Sequence, residues 1–259
     1  MSLSVIILTK NESANIADCL KSVAWADECI VYDSGSSDAT VEIAKEKGAK
    51  VFVDPDWQGF GVQRQKAQLQ ATGDWVLMID ADERVSEKLK KSVEEFITAH
   101  PEENAVGKIL RRNRAFGKCV RFGGWGGDCV LRLFPRRKIK FSDQKVHESL
   151  SVPAGMKIEK LSGVLDHETY RTLEQYFEKM GKYTTLWAEQ RAEKKRKCGS
   201  ELMCFVRGGF MFLKKYVLAL GCFDGIVGLK LAWLSSVYTT TKYLKFLERC
   251  RGNGKNGHS

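Results

Sequence analysis

Short apolar runs punctuate the first half of this chain, and each ends in a polar turn. Leu3, Val5, Ile6, Ile7 and Leu8 predict a buried first strand running into Thr9, Lys10, Asn11 and Glu12. Ser13 stands where it can cap a helix carrying Ile16, Leu20 and Val23. Cys29, Ile30, Val31 and Tyr32 predict a second strand, and the polar stretch at 33–40 follows it. There Gly35 permits a tight turn, and Ser37 or Asp38 can cap a helix through Lys47. Residues 50–53 predict a third strand, residues 61–71 a helix and residues 75–79 a further strand. Strand and helix alternate at βαβ spacing, which predicts an α/β fold built on a parallel sheet. The polar turns then gather at one edge, outside the carboxyl ends of the strands, where such sheets bind ligands.

The fourth of these strands ends in Asp80-Ala81-Asp82. Alternation along an extended chain puts both carboxylates on one side, with a small residue between them. Two hard anionic oxygens at one spot suit Mg²⁺ or Mn²⁺, above all a metal shared with phosphates. The competing reading is a strand end followed by a helix capped by Asp82. The pair alone does not choose between them.

The neighbouring motifs do more. Thr9-Lys10-Asn11-Glu12, the acidic-serine turn from Asp33 to Thr40, and the run from Gly73 to Arg84 occur in an order that resembles the family 2 glycosyltransferases of the GT-A fold. Phe60-Gly61-Val62-Gln63-Arg64-Gln65-Lys66-Ala67, Val146-His147-Glu148 and Gly221-Cys222-Phe223-Asp224-Gly225 add a narrower resemblance. It is to the lipopolysaccharide core glucosyltransferases of the WaaE/KdtX type. The resemblance implies a Rossmann-like, mostly parallel sheet with flanking helices over residues 1–170, and a helical extension beyond it. It also implies a UDP-sugar donor, UDP-glucose first, and a divalent cofactor, Mn²⁺ or Mg²⁺. Thr9, Asn11, Glu12, Asp33, Gly35, Arg64, Gln65 and Asp80 would then contact the donor. Asp82, with Asp80, would hold the metal. Glu148 would be the general base of an inverting transfer, with Asp128 in reserve. The implied acceptor is a heptose or other inner-core sugar on a lipid anchor. Other cell-envelope polysaccharides, a lipid-phosphate acceptor and a non-catalytic nucleotide-sugar sensor are the alternatives. A nucleotidyltransferase also uses paired aspartates, but the turn from Thr9 to Glu12 lacks a glycine-rich, basic phosphate loop.

Between these motifs lies Gly123-Gly124-Trp125-Gly126-Gly127-Asp128, flanked by arginine clusters at 111–114 and 132–137. Trp125 could stack on a sugar face, or the segment could be a wide hairpin loop with solvated arginines. His167 closes a predicted strand over 160–166 and is a candidate metal ligand, as imidazole suits Mn²⁺ better than Mg²⁺. His147 competes with it.

Charge sharpens the picture of the C-terminal part. The net charge is +10 over 259 residues; acidic and basic groups balance through residue 180, so the whole surplus falls after it. Residues 171–250 read as helices in which Lys214, Lys215, Lys230, Lys242 and Lys245 alternate with Phe205, Phe210, Phe212, Trp233 and Tyr238. Basic and apolar residues at helical spacing fit an anionic membrane surface, or a packed helix pair with a solvated basic face. Nucleic acid is not expected, since no recognition motif accompanies the charge. No uncharged apolar run reaches the roughly 18 residues a membrane span needs. The expectation is a cytoplasmic protein peripherally bound to the inner face of the inner membrane. With the first strand expected directly after Ser2, no targeting segment is expected. Gly208-Gly209 is expected to break a helix, residues 251–259 to form a disordered tail, and the eight cysteines, none in a C-x-x-C pair, to be reduced.

Overall fold

The computed structural model describes residues 1–141, 150–194 and 199–255, with side chains to Arg251. Two compact units divide the chain. The first joins Met1–Arg112 to Asp128–His167, and the second joins Asn113–Gly127 to Glu168–Ser259. The glycine-rich segment around Trp125 therefore groups with the C-terminal helices, which a boundary drawn once near residue 170 misses.

In the first unit the elements follow in the order β1 (Leu3–Thr9), α1 (Ser13–Val23), β2 (Glu28–Asp33), α2 (Thr40–Glu46), β3 (Lys50–Val53), α3 (Phe60–Leu69), β4 (Trp75–Asp80), β5 (Glu83–Val85) and α4 (Glu87–Ala99). Next come β6 (Ala105–Ala115), the short β7 (Lys118–Cys119) of the second unit, β8 (Cys129–Pro135), β9 (Lys140–Phe141), β10 (Leu150–Ser151) and β11 (Lys157–Tyr170). The main sheet has the order β3-β2-β1-β4-β8-β6-β11-β5. Pairing is parallel from β3 to β4, then antiparallel at β4–β8, β8–β6 and β11–β5. The fold class is α/β, as the alternation of runs predicts.

Period-two packing explains why the parallel strands are apolar throughout. Val5, Ile7, Val31, Trp75, Leu77 and Ile79 face one core with α1 and α4, while Ile6, Ile30, Tyr32, Val76 and Met78 face the other with α3. A strand buried on both faces cannot alternate with polar residues. The helix starts depart from expectation. Glu12, not Ser13, is the N-cap position of α1, and its side chain makes no capping bond. The Ser13 amide donates instead to Asp38 Oδ2 at 3.1 Å, so the loop after β2 serves the helix after β1.

In the second unit α5 (Leu173–Glu193), α6 (Glu201–Leu213) and α7 (Gly225–Lys255) pack together, with a π-turn at Lys214–Leu218 and a 3₁₀ turn at Gly221–Asp224 between the last two. Gly208-Gly209 does not break α6. A Cβ on Gly208 would lie 2.1 Å from Thr240 Oγ1, so glycine is there to let α6 approach α7. Asp224 accepts from the amides of Arg121 and Phe122, pinning the start of the glycine-rich segment. α7 continues through Lys255, into the stretch expected as a tail. Six cysteines are free thiols, but Cys250 is disulfide-bonded, contrary to the expectation of reduced cysteines throughout. Among the described residues no single helix is long and apolar enough to cross a membrane. The pair Glu201–Leu218 and Gly221–Arg251, bent by 73°, passes by length and composition together.

Glu28 ties the parallel strands together at the edge opposite the polar turns. Its carboxylate accepts from Ser4 Oγ at 2.5 Å, the Thr72 amide at 2.9 Å and Lys50 Nζ at 2.7 Å. Burial would raise its pKa, but the bonds from Lys50, Ser4 and Thr72 outweigh burial and bring it down to about 2. A folded-state pKa below the unfolded one stabilises the fold above the unfolded value, and that contribution is lost as pH falls towards about 2. The urea midpoint should fall across this acid range. In Glu28→Gln it should start lower at neutral pH and change less with acid; an unchanged acid slope would contradict the assignment.

Candidate active site

Register assembles the site. Across β1 and β2, Thr9 stands opposite Asp33; across β1 and β4, Leu8 stands opposite Asp80. Three polar turns thus leave the sheet side by side at the carboxyl ends of adjacent parallel strands.

The first two turns form one hydrogen-bonded rim. Asp33 is fully buried. Its Oδ1 accepts from the amides of Gly35 and Ser36 at 2.9 and 2.7 Å, and its Oδ2 from Thr9 Oγ1 and Ser36 Oγ at 2.8 and 2.5 Å. Four donors fill the acceptor capacity of a carboxylate. In this state Asp33 shapes the rim rather than offering an open oxygen to a ligand. Gly35 sits at φ +83°, with Pro55 Cβ 3.1 Å from where a side chain would begin, so the turn needs glycine. Asn11, itself at φ 56°, receives the amide of Ser37 at 2.8 Å and gives its own amide to Ser36 Oγ at 2.7 Å. The Glu12 amide reaches Thr40 Oγ1 at 2.8 Å, and the Glu12 carboxylate accepts from Asn15 Nδ2 at 2.6 Å.

The third turn is built differently from expectation. Asp80 and Asp82 have different partners. Asp80 takes Arg64 Nη2 at 2.8 Å on one oxygen and Arg132 Nη2 at 2.5 Å on the other. Its amide donates to Glu83 Oε2 at 2.9 Å. Glu83 is fully buried, with Arg132 at 3.4 Å and Arg111 at 3.6 Å from its Oε1. Burial works against ionisation of Asp80, but the guanidiniums of Arg132 and Arg64 overcome it and hold the carboxyl well below the usual range. Burial raises the Glu83 carboxyl, and the charge of Asp80 beside it pushes the same way against Arg132. Arg84 closes the turn from the other side, donating to the carbonyls of Ala81, Glu83 and Asn15 at 2.8 to 2.9 Å.

Asp82 meets His167. Strand β11 pairs with β5 so that His167 stands opposite Glu83, and His167 Nε2 lies 3.5 Å from Asp82 Oδ2. His167 lies inside β11 rather than at a strand end. One carboxylate and one imidazole would suit Mn²⁺ as a partial donor set. Among the described residues no group of three or more acidic, histidine or cysteine side chains forms a closed metal site.

The other expected contacts are dispersed. Gln65 Oε1 accepts from the Phe141 amide at 3.0 Å and holds β9. Asp128 is paired with Arg111, whose Nε lies 2.8 Å away. Trp125 belongs to the second unit, where its ring meets Tyr170 edge-on with centroids 6.1 Å apart. Glu148 and His147 lie outside the described residues. Sequence reading assigned no role to Glu83, Arg111 or Arg132. A signal for Arg132 was present, since it interrupts the apolar run of β8, and a charge inside a buried strand calls for a partner.

Residues 4–165 match Glycosyl transferase family 2, and the chain belongs to that family. It is a glycosyltransferase, and beyond the matched residues the chain continues into C-terminal helices. An uncharacterized glycosyltransferase of Rickettsia prowazekii is 33% identical over 242 residues, covering 87% of this chain and 80% of that protein. The lipopolysaccharide core biosynthesis glycosyltransferase LpsC of Rhizobium meliloti is 32% identical over 204 residues, covering 74% of this chain and 73% of that protein. Among solved structures, S. aureus TarS in complex with UDP aligns over 98% of this chain and 92% of that chain, with 18% identity and a TM-score of 0.48.

Removing one partner from a buried ionic cluster leaves an uncompensated charge, at a cost of about 3–5 kcal/mol. Arg132→Met should therefore destabilise the fold on that scale in urea titration. Arg137→Met, on the exposed end of the same segment, should change stability by about 0.5 kcal/mol or less. Equal effects of the two would contradict a structural role for the cluster.

Proposed function

We propose that this glycosyltransferase moves a hexose from a UDP-sugar, glucose from UDP-glucose in the first instance, onto an inner-core heptose of lipopolysaccharide, with inversion. The observation that carries the reading is the register that brings Thr9, Asp33 and Asp80 together at the carboxyl edge of the parallel strands. Likeness to LpsC supports the acceptor class. The rim from Thr9 to Glu12, with Asp33 and Gly35 fixing its shape, receives the nucleoside. Arg64 and Asp80 border the donor. Asp82 and His167 hold a divalent cation, Mn²⁺ or Mg²⁺, which when bound supplies positive charge against the departing diphosphate. Glu148, assigned by the family pattern, takes the proton from the acceptor hydroxyl. The acceptor oxygen then bonds to the anomeric carbon as the bond from that carbon to UDP breaks, giving a β-linked product.

The helical extension supports a membrane-bound acceptor. On α6, Leu202, Phe205, Val206, Phe210 and Leu213 are all exposed at helical spacing, and Ile226, Leu229 and Trp233 repeat the pattern on α7. A soluble monomer rarely shows so much apolar surface without a use for it. Lys214, at the start of the π-turn after α6, and Lys230, on α7, are exposed beside them. Apolar faces flanked by lysines suit the interface of an anionic bilayer.

Asp82→Asn and Glu148→Gln should separate the two roles. The first should nearly abolish transfer and remove the metal dependence of UDP binding while the fold persists. The second should keep donor affinity and lower turnover by roughly 100-fold or more, the scale of general-base loss. Full activity of Asp82→Asn in metal-depleted buffer would remove the metal assignment. Collapse of donor binding in Glu148→Gln, with turnover unchanged, would make that residue a binding group.

The membrane reading is checked by flotation with vesicles. The full-length protein should prefer phosphatidylglycerol-containing vesicles to neutral ones, and salt should weaken that preference. Lys214→Glu with Lys230→Glu should reduce it further. Equal binding to neutral and anionic vesicles at low salt would contradict the electrostatic part.

A further inference from the structure

The second unit holds a cavity of about 250 Å³ whose chemistry the donor site does not use. Trp125, Tyr170, Tyr176 and Tyr238 supply aromatic walls, and Lys215 and Lys242 reach it from the π-turn and from α7. Trp125 and Tyr176 each meet Tyr170 close to edge-on, with centroids 6.1 and 4.9 Å apart, so the wall is a fixed aromatic corner.

The two lysines are unusual. No carboxylate lines the cavity, and among the described residues neither ammonium has an acidic partner within ion-pair distance. Lys242 Nζ sits 4.9 Å from the ring centre of Trp187 and 5.4 Å from that of Tyr238. Arg191 and Arg207 stand over the ring of Tyr243 nearby, at 5.9 and 4.2 Å. Burial lowers the pKa of both lysines, and the charges of Lys214 on Lys215 and of Arg191 on Lys242 lower them further. Half-buried cations with no carboxylate beside them lack the compensation that buried charge normally has. An anion entering the cavity would supply it.

Two hydroxyls of the remaining wall already spend their protons on backbone carbonyls. Ser235 Oγ donates to the Leu231 carbonyl at 2.7 Å, and Tyr176 Oη donates to the Leu234 carbonyl at 2.8 Å. Their lone pairs remain to accept hydrogen bonds from a ligand's hydroxyl groups. Aromatic faces with hydroxyl acceptors suit a sugar ring, and paired ammonium groups suit a phosphate. The volume lies just below that of typical whole-ligand pockets, about 300–1,000 Å³, and so suits one substituted sugar residue rather than a nucleotide. Lys215 also lies on the π-turn, a helical irregularity often found at functional sites.

We propose that this cavity binds a phosphorylated saccharide, with the phosphate between Lys215 and Lys242 and the sugar ring against Trp125, Tyr170 and Tyr238. Its assignment as the subsite for a phosphate-bearing part of the acceptor rests on the function proposed above; the binding chemistry itself does not.

The test uses full-length protein and titrations of glucose 6-phosphate, glucose and inorganic phosphate, followed by tryptophan fluorescence and calorimetry. Glucose 6-phosphate should bind at least about tenfold more tightly than either of the others. Lys215→Met with Lys242→Met should weaken it by about tenfold or more while UDP binding stays at the wild-type level. In the wild type, the side-chain nitrogen resonances of both lysines should shift on adding glucose 6-phosphate, a readout that needs no substitution. Inorganic phosphate binding as tightly as the sugar phosphate would overturn the saccharide part. Phosphatidylglycerol vesicles displacing glucose 6-phosphate as well as unlabelled ligand does would reassign the cavity to a lipid headgroup. Unaltered binding in the double variant, or no binding of glucose 6-phosphate by the wild type, would overturn the site. Loss of UDP binding in the wild type would instead count against the donor site alone.

Discussion

A carboxylate at the end of a buried strand stays ionised only if something pays for its desolvation. At Asp80 that is done by Arg64 from α3 and Arg132 from β8, one on each oxygen. The same Arg132 reaches Glu83, which in turn receives the Asp80 amide. Two elements of the sheet unit that are far apart in sequence, α3 and β8, are thereby locked to a single turn. Asp82 is the residue that this turn presents, and β11 brings His167 to it. The strand-end chemistry depends on that cluster. Without it the turn would carry one buried and one partly buried acid, both uncompensated, and the position of Asp82 would not be fixed.

The rim on the other side of β1 obeys the same logic with neutral donors. Asp33 is saturated by Thr9, Gly35 and Ser36, and Asn11 bridges to Ser36 and Ser37. A ligand entering there would meet a surface whose shape is already set, which limits the entropy lost on binding. The helical unit differs in kind. Its cations are matched by aromatic rings more than by carboxylates, and much of its apolar surface is uncovered. Such a unit is suited to amphiphilic, anionic material.

Much of this was legible along the chain. The β1, β3 and β4 runs, the βαβ alternation and the three strand-end turns follow from hydrophobic period and turn chemistry. What was not legible depended on residues meeting across the fold. Nothing local says that Asp38 will take the amide of Ser13, that Gln65 will hold the backbone of Phe141, or that Asp80 will receive Arg64 on one oxygen and Arg132 on the other. Gly208-Gly209 read as a break because glycine weakens a helix on its own; contact with Thr240 reverses that meaning. The grouping of residues 113–127 with the C-terminal helices likewise depends on contacts such as Asp224 with the Arg121 and Phe122 amides.

The central claim is that the strand-end turns form a donor site in which Asp82 and His167 act together on a cation-bound diphosphate. Calorimetric titration of UDP into the full-length protein, once with Mn²⁺ and once with chelator, tests it most directly when repeated on His167→Ala. The account predicts saturable UDP binding that Mn²⁺ strengthens in the wild type, and a much smaller Mn²⁺ effect in His167→Ala. UDP affinity that is the same with and without Mn²⁺ in both proteins would contradict it.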